Sequence, residues 1–215
     1  MPDLSLRLEA CYVSAAHDVM RAMGLADFVL PAALRPILPE QRLAGPAFTV
    51  GGRRVEGADA HATLLAWTGV LSKTPPGTVL VCQPNDRELA LMGELSAEAL
   101  RRKGVRGYIV DGGCRDVDFL LAMRFQVFCR FFTPADVVGR WLPDGLGEPI
   151  LIGGVAIATG DYVFGDRDGI IVIAAARAAE IVERTERVIA TESDMRKAIQ
   201  AGMDAEAAYL KYGKF

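Results

Sequence analysis

Residues 93–116, GELSAEALRRKGVRGYIVDGGCRD, decide the fold class that the sequence predicts. Hydrophobic residues at helical spacing predict a helix, which Gly104 ends. The stripe consists of Leu95, Ala99 and Leu100. Residues 105–110 are rich in β-branched and aromatic types and predict a buried strand, ended by a turn at residues 111–113. Helix, strand and a second helix in succession are typical of an α/β fold.

Charged side chains stand at both helix starts in this stretch. Glu94 begins the first helix, and Arg115 and Asp116 begin the second. In an open α/β layer such loops can meet in one crevice. Two carboxylates and a guanidinium around exposed helix amides then predict a site for a metal ion and an anionic substrate. The alternative is that both acids only favour the positive end of a helix dipole, and that Arg115 forms a surface ion pair.

The composition is that of an ordered protein with a substantial core. The 215 residues are 51% hydrophobic, and the mean hydropathy is +0.23. A net charge of −3, from 24 basic and 27 acidic residues, gives no electrostatic reason to expect nucleic acid binding. The sequence contains no run of about 18 uncharged apolar residues, so no membrane span is predicted. The N-terminal residues do not resemble a signal peptide. Four scattered cysteines without a C-x-x-C pair favour a reduced, cytoplasmic location.

Several single residues allow two interpretations. Cys114 lies beside the predicted site, either as a nucleophile or, as we favour, as an inert packing residue. His17 and His61 are expected to be structural, since no further ligand stands at metal-binding spacing. Arg53 and Arg54 are expected in a loop, where they either bind a distal substrate carboxylate or remain solvated.

The rest of the chain is expected to mix helices and strands. A helix over residues 14–24 is expected to be capped by Ser14 and ended by Gly24. Strands are predicted over residues 43–50, 78–82, 126–131, 149–158 and 169–174, and further helices over residues 59–71, from residue 175 onward and over residues 205–212. Loops are expected at residues 51–54 and 140–147, and tight turns between residues 159 and 169.

The chain resembles the 4-hydroxy-4-methyl-2-oxoglutarate aldolases and their relatives, the regulators of ribonuclease activity A. The family pattern is an acid, twenty residues and then Arg-Asp, which Glu94 and Arg115-Asp116 match. Further matching blocks are AGPAFTV, PPGTVLV, LMGELSAEA, VDGGCRD, IGGVAIATGDYVFGDRDGIIVI and ESDMRKAIQAG. The similarity runs over residues 14–213, nearly the whole chain.

The resemblance implies a swivelling β/β/α fold with a C-terminal helical extension. Residues 1–174 would form the catalytic domain, and residues 175–215 would pack on it or on a neighbouring subunit. The family assembles as homotrimers or homohexamers with sites between subunits. The resemblance also implies a divalent cofactor, Mg²⁺ or Mn²⁺, and a small 2-oxo acid substrate. The charge balance and the lack of a long apolar run predict neither nucleic acid nor a membrane as a partner.

The resemblance also implies roles for individual residues. Asp116 would bind the metal, and Arg115 would hold the pyruvyl oxygen and offset enolate charge. Backbone amides at the start of the first helix would bind the substrate carboxylate, and these belong to Gly93, Leu95 and Ser96. The family commonly has Asp where this chain has Glu94, whose longer side chain would reach the metal directly or through water. Glu192 would approach from the adjacent subunit, or would pair with Arg196 on its own helix.

The implied activity is class II retro-aldol cleavage of 4-hydroxy-4-methyl-2-oxoglutarate, or of a related 4-hydroxy-2-oxo diacid, to pyruvate and a 2-oxo acid. Oxaloacetate decarboxylation is the expected side activity, because it needs the same enolate stabilisation. The alternative is a non-catalytic protein that binds and restrains a ribonuclease. Such regulators end soon after the strand at residues 169–174, so the helical tail of this chain favours the enzyme.

Overall fold

The structure of the protein is a computed structural model that describes residues 3–213. Its helices are α1 (Leu4–Ala10), α2 (Val13–Ala22), α3 (Ala60–Lys73), α4 (Glu94–Arg102), α5 (Val117–Ala122), α6 (Ala178–Gln200) and α7 (Ala205–Tyr212), with a 3₁₀ turn at Ala175–Arg177. Its strands are β1 (Arg35–Pro36), β2 (Leu43–Arg54), β3 (Val79–Gln83), β4 (Gly107–Val110), β5 (Gly113–Cys114), β6 (Val127–Cys129), β7 (Phe131–Phe132), β8 (Trp141–Leu146), β9 (Ile150–Ile152), β10 (Val155–Ile157), β11 (Tyr162–Gly165) and β12 (Ile170–Ile173). The predicted α/β class is therefore confirmed.

A mixed sheet forms the centre of the molecule. Its strands follow the order β1-β6-β4-β3-β2-β11-β12, and β8 pairs with β2 as well. The four strands β2, β3, β4 and β6 run parallel, whereas β1, β8, β11 and β12 pair antiparallel. Helices α3, α4 and α5 connect the parallel strands, as crossover connections require. The loops that follow β3 and β4 consequently lead into α4 and α5 at one edge of the sheet.

The loops predicted at residues 51–54 and 140–147 are wrong. Residues 51–54 continue β2, and β8 pairs with them. Glycines at 51 and 52 weaken the local strand signal, yet the close approach of β8 to β2 leaves no room for a side chain at these positions. A side chain at Gly52 would collide with the buried indole of Trp141 on β8. Packing therefore decides a strand that periodicity does not reveal.

The C-terminal strands differ from prediction in two places. The single strand expected at residues 149–158 is a hairpin of β9 and β10, which turns at Gly153 and Gly154 with φ of +59° and +88°. The turn-rich connector at residues 159–169 contains β11, which lies between β2 and β12. The strand expected at residues 169–174 is confirmed as β12.

The N-cap residue predicted for the helix over residues 14–24, which is α2, is also wrong. Tyr12, not Ser14, is the N-cap residue of α2, and its side chain caps nothing. Asp166 supplies the cap from a distant turn, because its Oδ2 accepts a hydrogen bond of 2.9 Å from the Val13 amide. The end of the helix is as predicted, since Gly24 follows it with φ of +73°. A carboxylate from 153 residues away thus replaces the local serine.

Three buried clusters hold the layers together. The first lies between the sheet and the α3–α5 layer and includes Trp67, Leu100 and Leu120. The second lies on the opposite sheet face under β9 and β10, and includes Phe128 and Ile152. The third joins α1, α2 and α6 to β11 and β12 and includes Leu8, Met20, Phe164 and Ile181. The sheet is therefore covered on both faces, as parallel strands require.

The C-terminal helices α6 and α7 match the predicted helical tail. Ile181 and Val182 of α6 are buried against α1 and α2, and the remainder of α6 becomes progressively exposed. The division of the chain at residue 174 stays a prediction. Within residues 3–213, no helix combines the length and the apolar character needed to cross a membrane.

Candidate active site at the starts of helices α4 and α5

Backbone hydrogen bonds join the segment before α4 to the segment before α5. The Leu91 amide donates to the Gly113 carbonyl over 3.0 Å, and the Arg115 amide donates to the Met92 carbonyl over 2.9 Å. This pairing brings the two helix starts side by side. Asp116 Oδ2 then accepts a hydrogen bond of 3.1 Å from the Glu94 amide. The predicted site residues Glu94, Arg115 and Asp116 therefore lie together.

The Asp116 carboxylate lies against the backbone of Gly93. Asp116 itself is a non-glycine residue in the left-handed region, with φ of 56° and ψ of 39°. A Cβ on Gly93 would lie 2.5 Å from Asp116 Oδ2 and 3.2 Å from Arg115 Nε. Unusual backbone of this kind is concentrated at functional sites, because it holds a side chain in one defined place. Here it directs the carboxylate at the first turn of α4.

Arg115 lies between two carboxylates. Its Nε is 3.6 Å from Asp116 Oδ2, and its Nη1 donates to Asp136 Oδ2 over 3.2 Å. Burial by itself raises the pKa of the Asp136 carboxyl, but hydrogen bonds from the Val138 amide and Arg140, with the charge of Arg115, outweigh it and lower that pKa. Asp136 is therefore ionised at neutral pH, and it orients the guanidinium.

Asp136 lies at the candidate site although no motif in the sequence indicates it. It lies in an irregular segment between β7 and β8, 21 residues beyond Arg115, and belongs to none of the family blocks. Its neighbours Thr133, Pro134 and Ala135 mark a loop, which was the only available signal. Only the proximity of Asp136 to Arg115 in three dimensions places it at the candidate site.

A cleft of about 410 Å³ opens beside these residues, between α3, α4 and residues 136–138. Gly93, Glu94, Leu95, Ser96, Arg115 and Asp116 all line it. The opposite wall belongs to α3, where the Trp67 indole Nε1 donates to Ser96 Oγ over 2.9 Å. This bond joins the first turn of α4 to α3 and fixes one wall of the cleft.

The stripe predicted for α4 is wrong at Leu95. The buried residues of α4 are Ala97 and Leu100, whereas the Leu95 side chain is 82% exposed. Helical spacing relates Leu95 to Ala99, and both line the cleft instead of the core. A short helix with apolar residues on two faces does not reveal, from periodicity alone, which face is buried in the core.

The donor set fits an open oxygen site for a hard divalent cation. Nowhere in residues 3–213 do three His, Cys, Asp or Glu side chains gather as a metal-binding group. Mg²⁺ and Mn²⁺ retain waters and bind through one or two carboxylates together with substrate oxygens. Asp116 would supply one such carboxylate, and it lies against Gly93, the residue that directly precedes Glu94.

Cys114 is an inert packing residue, in agreement with the favoured interpretation. It is fully buried, and its Sγ lies 3.4 Å from that of Cys129. The hydrogen bond between the two thiols, together with burial, raises the pKa of Cys114 far above its ordinary value. A thiol that stays protonated at neutral pH lacks the thiolate that nucleophilic catalysis requires.

Other candidate residues lie outside the cleft among the described residues. Arg53 and Arg54 belong to β2 and pair with acids of their own surroundings. His17 contacts the ring of Phe28, and His61 lies in the exposed first turn of α3. Glu192 lies on α6 and does not line the cleft of its own chain. Its predicted approach from an adjacent subunit stays a prediction.

The sequence and fold are similar to those of known proteins. The "Putative 4-hydroxy-4-methyl-2-oxoglutarate aldolase" of Halalkalibacterium halodurans is 30% identical over 186 residues, which cover 85% of this chain and 83% of that protein. Protein DlpA of Legionella pneumophila is 27% identical over 215 residues, and this chain spans only 34% of its length. The crystal structure of Streptomyces coelicolor RraAS2, described as an unusual member of the RNase ES inhibitor RraA protein family, superposes with a TM-score of 0.76 at 25% identity. That superposition covers 94% of this chain and 98% of RraAS2.

These similarities confirm the resemblance in sequence and the swivelling β/β/α fold that it implies. The sequence model of the RraA-like family, described as Aldolase/RraA, matches residues 13–172. That span contains both helix starts and every residue of the cleft. Since most of the chain is matched, this protein belongs to the RraA-like, or Aldolase/RraA, family.

Proposed function

We propose that this protein is a divalent-metal-dependent aldolase that cleaves a 4-hydroxy-2-oxo acid and releases pyruvate. The observation that carries the proposal is that the Asp116 carboxylate lies close both to the start of α4 and to the Arg115 guanidinium. Asp116 Oδ2 is 3.1 Å from the Glu94 amide and 3.6 Å from Arg115 Nε. The aldolase name of the relative from Halalkalibacterium halodurans supports the same reaction class.

Each side chain of the site has a role in the proposed reaction. Asp116 would hold the metal ion, with Glu94 as a direct or water-mediated second carboxylate. Arg115 would donate to the keto oxygen, where negative charge develops as the bond between C3 and C4 breaks. When bound, Mg²⁺ or Mn²⁺ supplies Lewis-acid stabilisation to the same charge.

The first turn of α4 would bind the substrate carboxylate. Amide groups in the first turn of a helix lack intrahelical acceptors and carry a partial positive charge. Gly93, Leu95 and Ser96 line the cleft at this helix start, and the bond from Trp67 holds Ser96 in place. Glu192 of a neighbouring subunit would complete the site.

The decisive experiment measures pyruvate release with lactate dehydrogenase and NADH, using 4-hydroxy-4-methyl-2-oxoglutarate and oxaloacetate. We expect turnover with Mg²⁺ or Mn²⁺ and its loss with EDTA. Arg115→Ala and Asp116→Ala should each abolish turnover while retaining the circular dichroism spectrum of the wild type. Asp118→Ala, two residues along and outside the cleft, is the matched control and should retain activity.

A second candidate function is restraint of a ribonuclease, because RraAS2 is described as a member of an RNase inhibitor family. Absence of metal-dependent pyruvate release from both substrates would favour this function and would contradict the aldolase. Wild-type turnover in Arg115→Ala would contradict only the role proposed for this arginine and would leave the aldolase proposal standing. Oxaloacetate decarboxylation is proposed as a side activity, since its product is the same pyruvate enolate.

A further inference from the structure

The hydrogen bond between Trp67 and Ser96 fixes the direction in which the Ser96 hydroxyl can donate. The Trp67 indole Nε1 lies 2.9 Å from Ser96 Oγ. An indole N–H group can only donate, so Ser96 Oγ is the acceptor of this bond. A hydroxyl group that accepts a hydrogen bond keeps its own proton for a different acceptor. The Ser96 proton is therefore left for a group other than Trp67.

The backbone of α4 does not take up this proton. Elsewhere in the protein a helical hydroxyl donates to the carbonyl one turn earlier, as Thr68 does to Leu64 over 2.9 Å. The corresponding carbonyl for Ser96 belongs to Met92, which precedes α4 and accepts the Arg115 amide over 2.9 Å. Within residues 3–213, no carbonyl or carboxylate accepts the Ser96 proton. The hydroxyl thus retains a donor that a ligand can use.

This donor belongs to the helix turn that is proposed to bind the substrate carboxylate. Ser96 lines the cleft of about 410 Å³ together with Gly93 and Leu95. The first intrahelical bond of α4 runs from the Ala97 amide to the Gly93 carbonyl over 3.0 Å, so the Leu95 and Ser96 amides precede it. One turn consequently offers two amide donors and one hydroxyl donor. A carboxylate has about four lone-pair sites and can accept all three bonds.

We infer that the Ser96 hydroxyl donates to the substrate carboxylate next to the keto group, and that Trp67 is the positioning residue that orients this hydroxyl. The inference rests on the proposed aldolase function and adds a side chain to the backbone amides of the same site. The substrate carboxylate keeps its charge while the bond between C3 and C4 breaks. A hydrogen bond to it therefore stabilises substrate and transition state alike, and acts on KM instead of kcat.

Ser96→Ala tests the donor. With Mg²⁺ present, we expect the KM for 4-hydroxy-4-methyl-2-oxoglutarate and the Kd of pyruvate each to rise about tenfold, because a hydrogen bond to a charged group is lost. Isothermal titration calorimetry measures the Kd without any turnover. The value of kcat should change by less than about twofold. Ser72→Ala, at an exposed serine of α3 outside the cleft, is the matched control and should leave KM, kcat and Kd unchanged.

A double-mutant cycle tests the positioning role of Trp67. Trp67→Phe removes the indole N–H, and we expect it to raise the Kd of pyruvate about fivefold in the wild-type background. In the Ser96→Ala background the same substitution should have little further effect, because the hydroxyl that it orients is already absent. A loss of packing by the smaller ring would instead raise the Kd equally in both backgrounds.

The outcomes separate this inference from the aldolase proposal. Wild-type KM and pyruvate affinity in Ser96→Ala would overturn the role of the hydroxyl and leave the aldolase intact. A lower kcat at unchanged KM would also overturn that role, since Ser96 would then act on the transition state. Equal effects of Trp67→Phe in the two backgrounds would overturn the positioning role of Trp67. A wild-type protein that neither binds nor releases pyruvate would overturn both proposals.

Discussion

At the scale of single residues, Gly93 is the position on which the geometry of the site most depends. A Cβ there would lie 2.5 Å from Asp116 Oδ2 and 3.2 Å from Arg115 Cγ. We expect Gly93→Ala to displace the carboxylate and to lower kcat by about 10²-fold, the cost of a misplacement near 1 Å. Gly69→Ala in α3, where a Cβ meets no neighbour within 4 Å, is the control and should leave kcat unchanged. Full activity in Gly93→Ala would contradict the proposed position of Asp116.

Asp136 belongs to the same scale as a positioning residue for Arg115. Asp136→Asn keeps the shape of the side chain but removes the charge that faces Arg115 Nη1 at 3.2 Å. We expect kcat to fall about tenfold, as supporting residues of metal sites commonly show. Arg140→Ala removes the other basic partner of Asp136 and should change kcat much less. Equal losses in the two variants would indicate a role in loop structure only.

At the scale of elements, an ion pair fastens α1 to α6. Arg7 donates to Glu186 through Nε over 2.9 Å and through Nη2 over 2.7 Å. The hydrogen bond from Arg7 lowers the pKa of Glu186 below its ordinary value, against the opposing effect of burial. A carboxyl with a lowered folded-state pKa stabilises the fold above its unfolded-state pKa, and this contribution disappears as the pH falls through the folded-state pKa.

Glu186→Gln tests that ion pair. At pH 7 we expect it to lower the free energy of unfolding by at most about 1 kcal/mol, because the pair is partly exposed to solvent. The difference from the wild type should shrink as the pH falls through the folded-state pKa of Glu186, which urea denaturation over a series of acidic pH values can measure. Glu183→Gln, in an exposed pair with Arg187, is the control and should have little effect at any pH in the series. A difference that does not depend on pH would contradict an electrostatic origin.

At the scale of the whole molecule, large apolar side chains of α3, α4 and α5 are exposed to solvent. Leu65, Leu95 and Phe119 are between 54% and 82% exposed. Where such side chains join into one patch, the patch commonly marks a protein interface. We expect a homotrimer or homohexamer, with a mass by light scattering that is a multiple of 23.1 kDa. Phe119→Asp should lower that mass, whereas Leu6→Asp should not, and a wild-type monomer at all concentrations would contradict the proposal.

The local features of the fold could be predicted from the sequence because their signals are local. The helix that begins at Glu94 and ends before Gly104 needs only apolar spacing and a glycine stop. The helix predicted at residues 205–212 is α7, and the strand predicted at residues 78–82 is β3 (Val79–Gln83); both follow from the same kind of pattern. The proximity of Glu94 to Asp116 was inferred because successive loops of an α/β layer share one edge.

The α/β class, the family and the proximity of the two helix starts could thus be predicted from the order of residues in the chain. Tertiary structure alone decided that β8 extends the sheet along β2, that Asp166 caps α2 and that Asp136 orients Arg115. It also placed Arg53 and Arg54 in ion pairs away from the cleft. The physical reason is common to all of these. Each depends on contacts between residues distant in the chain, whose energy is set by packing and charge in three dimensions and leaves no periodic trace in the sequence.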